Sequence, residues 1–238
     1  MAREKLIHDG LQSCPYLPDR LARMPMYRQL DRLGPPEADA RFARSERRVG
    51  SSLYRPQCPS CQACMGIRVP VEGFQPSKSQ RRVLRRWQQV GGAVEGASPS
   101  WSPEKLALFN RHKVERGLSQ NEQAFSPVGY VSWLIQTCTD TVELQYRVGS
   151  RLVGVSILDL GARSASSVYF YFDPDPALSH LSLGTLSALH EIDLCARTGR
   201  THYYLGLYVE GNDHMRYKTS FRPYELLQGE VWTRHPQR

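Results

Sequence analysis

VELQYRVGSRLVGVSILDLGARSASSVYFYFDP, Val142 to Pro174, holds three runs rich in apolar, β-branched and aromatic residues. VELQYRVG, RLVGVSILDLG and SSVYFYFDP read as three antiparallel strands. Gly149-Ser150 supplies the tight hairpin between the first two. Upstream, GAVEGA reads as a strand, and SPEKLALFNRHKVERG as a helix with Ser102 as N-cap, Pro103 at its first position and Gly117 as its stop. SPVGYVSWLIQTC repeats the device with Ser126 and Pro127. Downstream, LGTLSALHEIDLCARTG reads as a helix ending at Gly199 and THYYLGLYV as a strand. A short helical piece over His214–Thr219 follows, and ELLQGEVWTR closes as a hairpin. The predicted class is α+β, with a mixed sheet flanked by helices.

The first 90 residues differ in texture. Residues 1 to about 75 are poor in helical periodicity and rich in Pro, Arg and Cys. GPPEADARFARSERRVGSS reads as a loop with a short helix, and MGIRVPV as a strand. QPSKSQRRVLRRWQQVGG reads as a helix capped by Ser77 and stopped by Gly91-Gly92. Val83, Leu84, Trp87 and Val90 form its apolar stripe. Arg81/Arg85 and Arg82/Arg86 are like-charge i,i+4 pairs, which cost the helix some stability unless an anion relieves them. The expected division is a Cys-containing, basic region over 1–90 and a second unit over 91–238.

The chain has 238 residues and a formal charge of +8. Eleven Lys/Arg against two acids fall between Arg41 and Val90, so the rest of the chain is about neutral. A basic block on a balanced protein is what phosphate binding requires. No run approaches the roughly 20 apolar residues of a membrane span, and the start, MAREKLIHDGLQSC, has no apolar core of a signal peptide. The expected setting is the cytoplasm, with no membrane partner. Six cysteines in a reducing compartment do not suggest a disulfide framework. Cys138 and Cys195 fall in helical patterns and read as small core residues. Cys14, Cys58, Cys61 and Cys64 remain, four thiolates with the last three at three-residue spacing. That is the count for tetrahedral zinc or for an iron–sulfur cluster.

The order of elements from about Gly92 to Thr233 resembles the GCN5-related acyltransferase fold. In relatives that use coenzyme A, a glycine-rich loop before the fourth-strand helix cradles the pyrophosphate. The corresponding stretch here, DPDPALSHLSLGTLSALHE, has one glycine, Gly184, no Lys or Arg, and two acids at its start, Asp173 and Asp175. The expectation is acyl transfer without coenzyme A and without a nucleotide cofactor. An acyl group carried by a nucleic acid means aminoacyl-tRNA.

Five ordered segments then carry a family likeness: CPYLPDRLAR, YRPQCPSCQACMGIRVPV, FQPSKSQRRVLRRWQ, SSVYFYFDPD with LGTLSALHEI, and YYLGLYVEGNDHMRYKTSFRPYELL. The chain resembles the arginyl/leucyl-tRNA–protein transferases, in particular the short bacterial branch, the aspartate/glutamate leucyltransferases. It departs from the pattern at Met65, Val209 and His214. The resemblance implies transfer of leucine, with arginine as the alternative donor, from charged tRNA to the α-amine of proteins beginning with Asp or Glu. Such products are marked for N-degron degradation. A coenzyme A-dependent N-acetyltransferase and a non-enzymatic metal and nucleic-acid binding module are the competing classes.

Candidate roles follow. Asp159 and Asp173 end predicted strands near the expected cleft and are candidates for the base. Tyr169, Tyr171 and Tyr208 are candidates to donate to ester oxygens. Arg68, Lys78, Arg81, Arg82, Arg85 and Arg86 are candidates for the acceptor carboxylate and the tRNA phosphates, two sets that the sequence does not separate. Tyr217 and Lys218 belong to the YYLGLYV…MRYKTSF segment of the resemblance and are expected to bind substrate. The four cysteines read as a structural clip.

Overall fold

The computed structural model describes residues 2–117 and 124–236. Four short strands open the chain, β1 (Glu4–His8), β2 (Leu11–Ser13), β3 (Leu21–Arg23) and β4 (Met26–Gln29). Helix α1 (Pro35–Ala43), β5 (Arg47–Val49), β6 (Ser52–Tyr54) and β7 (Cys64–Pro70) follow. Next come α2 (Lys78–Gln89), β8 (Gly92–Ala97), α3 (Pro103–Glu115), α4 (Pro127–Tyr130) with a π-helical turn to Ile135, β9 (Asp140–Val148), β10 (Arg151–Leu160) and β11 (Ser164–Phe172). A 3₁₀ turn (Pro176–Leu181) leads into α5 (Leu183–Arg197) and β12 (His202–Val209). A second 3₁₀ turn (Asp213–Ser220), β13 (Tyr224–Gln228) and β14 (Val231–His235) end the described chain.

The predicted caps are in place. The Ser77 hydroxyl accepts from Gln80 N while the Gln80 side chain accepts from Ser77 N, a full capping box. Ser102 and Ser126 accept from Lys105 N and Gly129 N. The α2 stripe is narrower than expected. Val83 and Trp87 are buried, but Val90 is exposed at the helix end.

Eight strands form one sheet in the order β14-β13-β7-β12-β11-β10-β9-β8, antiparallel except for the β11–β12 pair. α2 and α5 cover one face. Val83 and Trp87 pack there with Tyr146, Val153 and Leu186. α3 and α4 cover the other, where Phe109 and Tyr130 meet Val155, Ile157 and Tyr171. Covering both faces explains why β10 is buried almost throughout, without polar alternation.

A division at residue 90 does not follow this sheet. β7 lies between β12 and β13 and pairs with both. The N-terminal region therefore donates a central strand, because MGIRVPV is apolar enough to be buried on both sides. The remaining early strands form a four-stranded sheet, β1-β4-β6-β5, and a β2-β3 ribbon. None of these was expected from the sequence.

Candidate active site

The site lies where β11 and β12 part. They pair in parallel only over Ser164–Ser166 and His202–Tyr204. Each then carries a bulge. Ile157 and Leu158 oppose Tyr169 and Ser167, leaving Val168 extra. Tyr204 and Gly206 oppose Arg68 and Ile67, leaving Leu205 extra. Bulges bend a strand and end its pairing, so the sheet opens between the two.

Arg47, from β5, enters this opening. Its Nη1 donates to Ser166 Oγ at 3.2 Å, and its Nη2 donates to the carbonyls of Ser167 at 2.6 Å and Val168 at 3.2 Å. Lys218 Nζ donates to the carbonyl of Leu207 at 2.7 Å. Two cations thus satisfy strand carbonyls that have lost ladder partners. Burial, with the Arg47 charge acting in the same direction, pushes the Lys218 ammonium down to about 7.

Two cavities meet here. The first, about 540 Å³, is walled by Phe172, Leu178, Leu183 and Leu205, with the start of α5 along one side. The second, about 840 Å³, is walled by Tyr16, Tyr54, Phe125 and Trp133 and includes Arg48 and Lys113. Arg47, Val168, Tyr169, Met215 and Lys218 line both. Burial pushes the Tyr169 phenol up to about 12, opposed by the nearby Arg116 charge, so it stays protonated and able to donate. His112 Nδ1 lies 2.9 Å from the carbonyl oxygen and 3.1 Å from the N of Phe172 in the first cavity wall, and burial pushes its imidazole down to about 4. His112 is neutral at pH 7.

Of the expected residues, Tyr169, Tyr217 and Lys218 come together at the cleft, with Asp173 in its wall. Asp173 is not placed to act as a base. Its carboxylate is 1% exposed and accepts from Arg151 and Arg111, at 2.5 Å and 2.6 Å. Asp159 lines neither cavity. It is buried against Arg48 Nε at 2.7 Å and accepts from the Thr141 hydroxyl at 2.7 Å. Arg68 is occupied by Glu225 at 2.6 Å and stacks 4.2 Å from the Trp232 ring centre. Tyr208 packs on the core beside β7 rather than in the cleft. For Asp173, Asp159 and Arg68 a neighbour distant in sequence takes the polar group, which local spacing does not reveal.

Lys78, Arg81, Arg82 and Arg85 are exposed on α2, and Arg86 is half-buried. Among the described residues none of these five pairs with a carboxylate. Arg86 Nη1 donates to the His180 carbonyl at 2.9 Å, tying α2 to the 3₁₀ turn that walls the first cavity. Asp175 also accepts from Arg151, at 2.9 Å, so both acids expected to repel a phosphate are neutralised.

Cys58, Cys61 and Cys64 line a third cavity of about 570 Å³ together with Arg55. Cys14 belongs to the same neighbourhood. Burial and then the charges of Cys14, Cys58 and Cys61 push the Cys64 thiol up to about 12. Cys61 Sγ accepts from Arg20 and Cys14 Sγ from Leu17 N, each at 3.4 Å. Among the described residues no three His, Cys, Asp or Glu side chains are grouped to hold a metal ion. The four thiols gather around Cys64.

Arg47, Lys113, Arg116 and His112 were not singled out from the sequence. Arg47 stands in the basic block, and the other three in the helix FNRHKVER, but nothing in either spacing separates them from surface residues.

Two family descriptions match the chain: "Arginine-tRNA-protein transferase, N terminus" over residues 12–82 and "Arginine-tRNA-protein transferase, C terminus" over 104–228. A curated relative from Chromohalobacter salexigens, named aspartate/glutamate leucyltransferase, is 35% identical over 93% of this chain and 89% of its own length. One of the same name from Stenotrophomonas maltophilia is 33% identical over 96% and 92%. A solved structure of a conserved Bacteroides thetaiotaomicron protein of unknown function is similar with a TM-score of 0.51 and 12% identity. That likeness covers 68% of this chain and 57% of the other, and it bears on fold alone.

Proposed function

The chain belongs to the arginine-tRNA-protein transferase family, and from that premise we propose that it transfers leucine from leucyl-tRNA to the N-terminal Asp or Glu of proteins, on a GCN5-related acyltransferase-like sheet. The observation that carries this reading is the pair of cavities joined at Arg47, Tyr169 and Lys218. A two-substrate acyl transfer needs two pockets and one meeting point.

The aminoacyl ester is already activated, so the protein mainly positions and moves a proton. The acceptor amine nitrogen attacks the leucyl carbonyl carbon at the junction. Lys218, in its neutral form, takes the amine proton. Tyr169 donates to the oxygen that gains charge. The bond to the terminal ribose oxygen then breaks, that oxygen regains a proton, and an amide and free tRNA leave. The first cavity suits the leucyl end. Its Phe and Leu walls match an aliphatic side chain, and Arg116 with the N-terminal turn of α5 offers a seat for a terminal phosphate. The tRNA backbone approaches along α2, whose tie to the first cavity runs through Arg86.

Arginine as donor is disfavoured by the same walls. An arginyl guanidinium needs a carboxylate, and Asp173 and Asp175 are already held by Arg111 and Arg151. The test is a transfer assay with radiolabelled leucyl-tRNA, arginyl-tRNA and acetyl-coenzyme A, each with a peptide beginning Asp. Label from leucyl-tRNA alone is the expected result. Label from acetyl-coenzyme A, or none from leucyl-tRNA, would sink the proposal.

A further inference from the structure

Resting on the transferase reading above, we infer that the second cavity is the acceptor pocket, in which Lys113 and Arg47 hold the side-chain carboxylate of an N-terminal Asp or Glu. The charge of its lining points there. Among the described residues it holds Arg47, Arg48, Lys113 and Lys218 and no Asp or Glu. Asp159 neutralises Arg48 from behind. Arg47, Lys113 and Lys218 have no carboxylate partner among the described residues. Arg48, whose side chain is 1% exposed, leaves its Nη2 without a hydrogen-bond partner. Partly desolvated cations without a carboxylate partner are costly, and a ligand carboxylate offsets that cost.

The pocket's shape agrees with one acidic residue. Lys113 Nζ stands 5.5 Å from the centre of the Trp133 ring, and Phe125 stacks on Trp133 with ring centres 5.4 Å apart. These rings wall the stem of an Asp or Glu while Lys113 takes its head. Arg47 and Lys218 line the pocket at its junction with the first cavity, and Lys113 belongs to the second cavity alone, so the α-amine is assigned to the Lys218 side and the carboxylate to Lys113. A cationic pocket also serves the chemistry, because neighbouring positive charge disfavours the ammonium form of the acceptor amine. The first cavity contrasts in having acids that are already paired and aliphatic walls. The cations expected from sequence to read the acceptor, Arg68, Lys78, Arg81 and Arg82, line neither cavity.

The test compares Lys113→Met and Lys113→Arg with the wild-type protein. Initial rates are measured on peptides beginning Asp, Glu and Asn at saturating leucyl-tRNA, then on leucyl-tRNA at fixed peptide. Lys113→Met keeps the aliphatic stem over Trp133, and a melting curve shows whether each variant is folded. The expected result is a rise of about tenfold or more in KM for Asp and Glu peptides. KM for leucyl-tRNA stays within about twofold, the preference for Asp over Asn shrinks, and Lys113→Arg restores most of it. Lys113→Met with an unchanged Asp-to-Asn preference, or with its defect in KM for leucyl-tRNA, overturns the inference while wild-type transfer stands. Should Lys113→Met not fold, Lys113→Arg and Lys113→Gln carry the same comparison. Wild-type protein that leucylates none of the peptides overturns the transferase reading and this one with it.

Discussion

The guanidinium of Arg47 sits against the backbone of Gly206. A Cβ built on Gly206 would lie 2.9 Å from Arg47 Cζ and 3.0 Å from Nη2. Gly206 also has φ of +90°, a conformation that side chains other than glycine's rarely adopt. Gly206 therefore does two things at the bulge of β12. It bends the strand, and it leaves room for the arginine that fills the split sheet. Gly206→Ala is expected to displace Arg47 and lower kcat by up to about 10²-fold, the scale of a 1 Å misplacement at a reacting centre. Steady-state kinetics with a melting curve checks this. A folded variant with normal kcat would show that Arg47 is not held by this contact.

Lys218 sets the expected pH dependence. Its usual value of 10.5 is lowered to about 7. Below pH 7 the amine is charged and has no lone pair for a proton. Above it the neutral form dominates. With both substrates saturating, the rate should rise through about pH 7 and level off. Lys218→Arg stays charged at every accessible pH, so it should be slow and lack that rise. A wild-type profile flat from pH 6 to 8, those limits being about one unit either side of the Lys218 value, would remove Lys218 from the proton transfer.

Much of the scaffold was legible because its signals are local. Ser77, Ser102 and Ser126 cap helices where the sequence places them, and the hairpin turns at Gly149-Ser150. The site was less legible because it is made by long-range meetings. Arg47 reaches β11 from 119 to 121 residues away, and Arg48 reaches Asp159 from 111. An aspartate ending a strand reads alike whether a buried arginine claims it or a substrate does. The placement of β7 between β12 and β13 was hidden for the same reason: pairing partners lie beyond any local pattern.

Asp159 gives a stability prediction that separates the sequence reading from the structure. Its carboxylate is 2% exposed and neutralises Arg48, itself 1% exposed. Asp159→Asn leaves a buried guanidinium without its counter-charge, at a cost of about 3–5 kcal/mol. For a chain of this size that is a fall in Tm of about 6–20 °C. At a temperature where the variant is folded, kcat/KM should stay within about twofold. A kinetic collapse with an unchanged Tm would restore Asp159 as a catalytic group.

The basic face of α2 gives the last prediction. Arg81, Arg82 and Arg85 project from exposed positions, and Arg81 Nη1 donates to the carbonyl of Pro76 at 2.6 Å. Arg81/Arg85 is a repelling i,i+4 pair that the helix keeps without a partner acid among the described residues. If these three contact tRNA phosphates, each releases counterions on binding. The slope of log K against log salt should then fall by about 0.7–0.9 for every contact removed. The triple change to Ala should therefore flatten the slope by about 2–3 between roughly 50 and 200 mM salt. Stability should not suffer, since Ala favours the helix and the repulsion is gone. Binding of leucyl-tRNA followed by fluorescence anisotropy gives the slope directly. The acceptor side supplies the control: the Asp-to-Asn preference of the triple variant should match the wild type, because these arginines stand outside the second cavity. An unchanged slope would mean that the tRNA approaches by another face, and a lost Asp preference would return these arginines to the acceptor site.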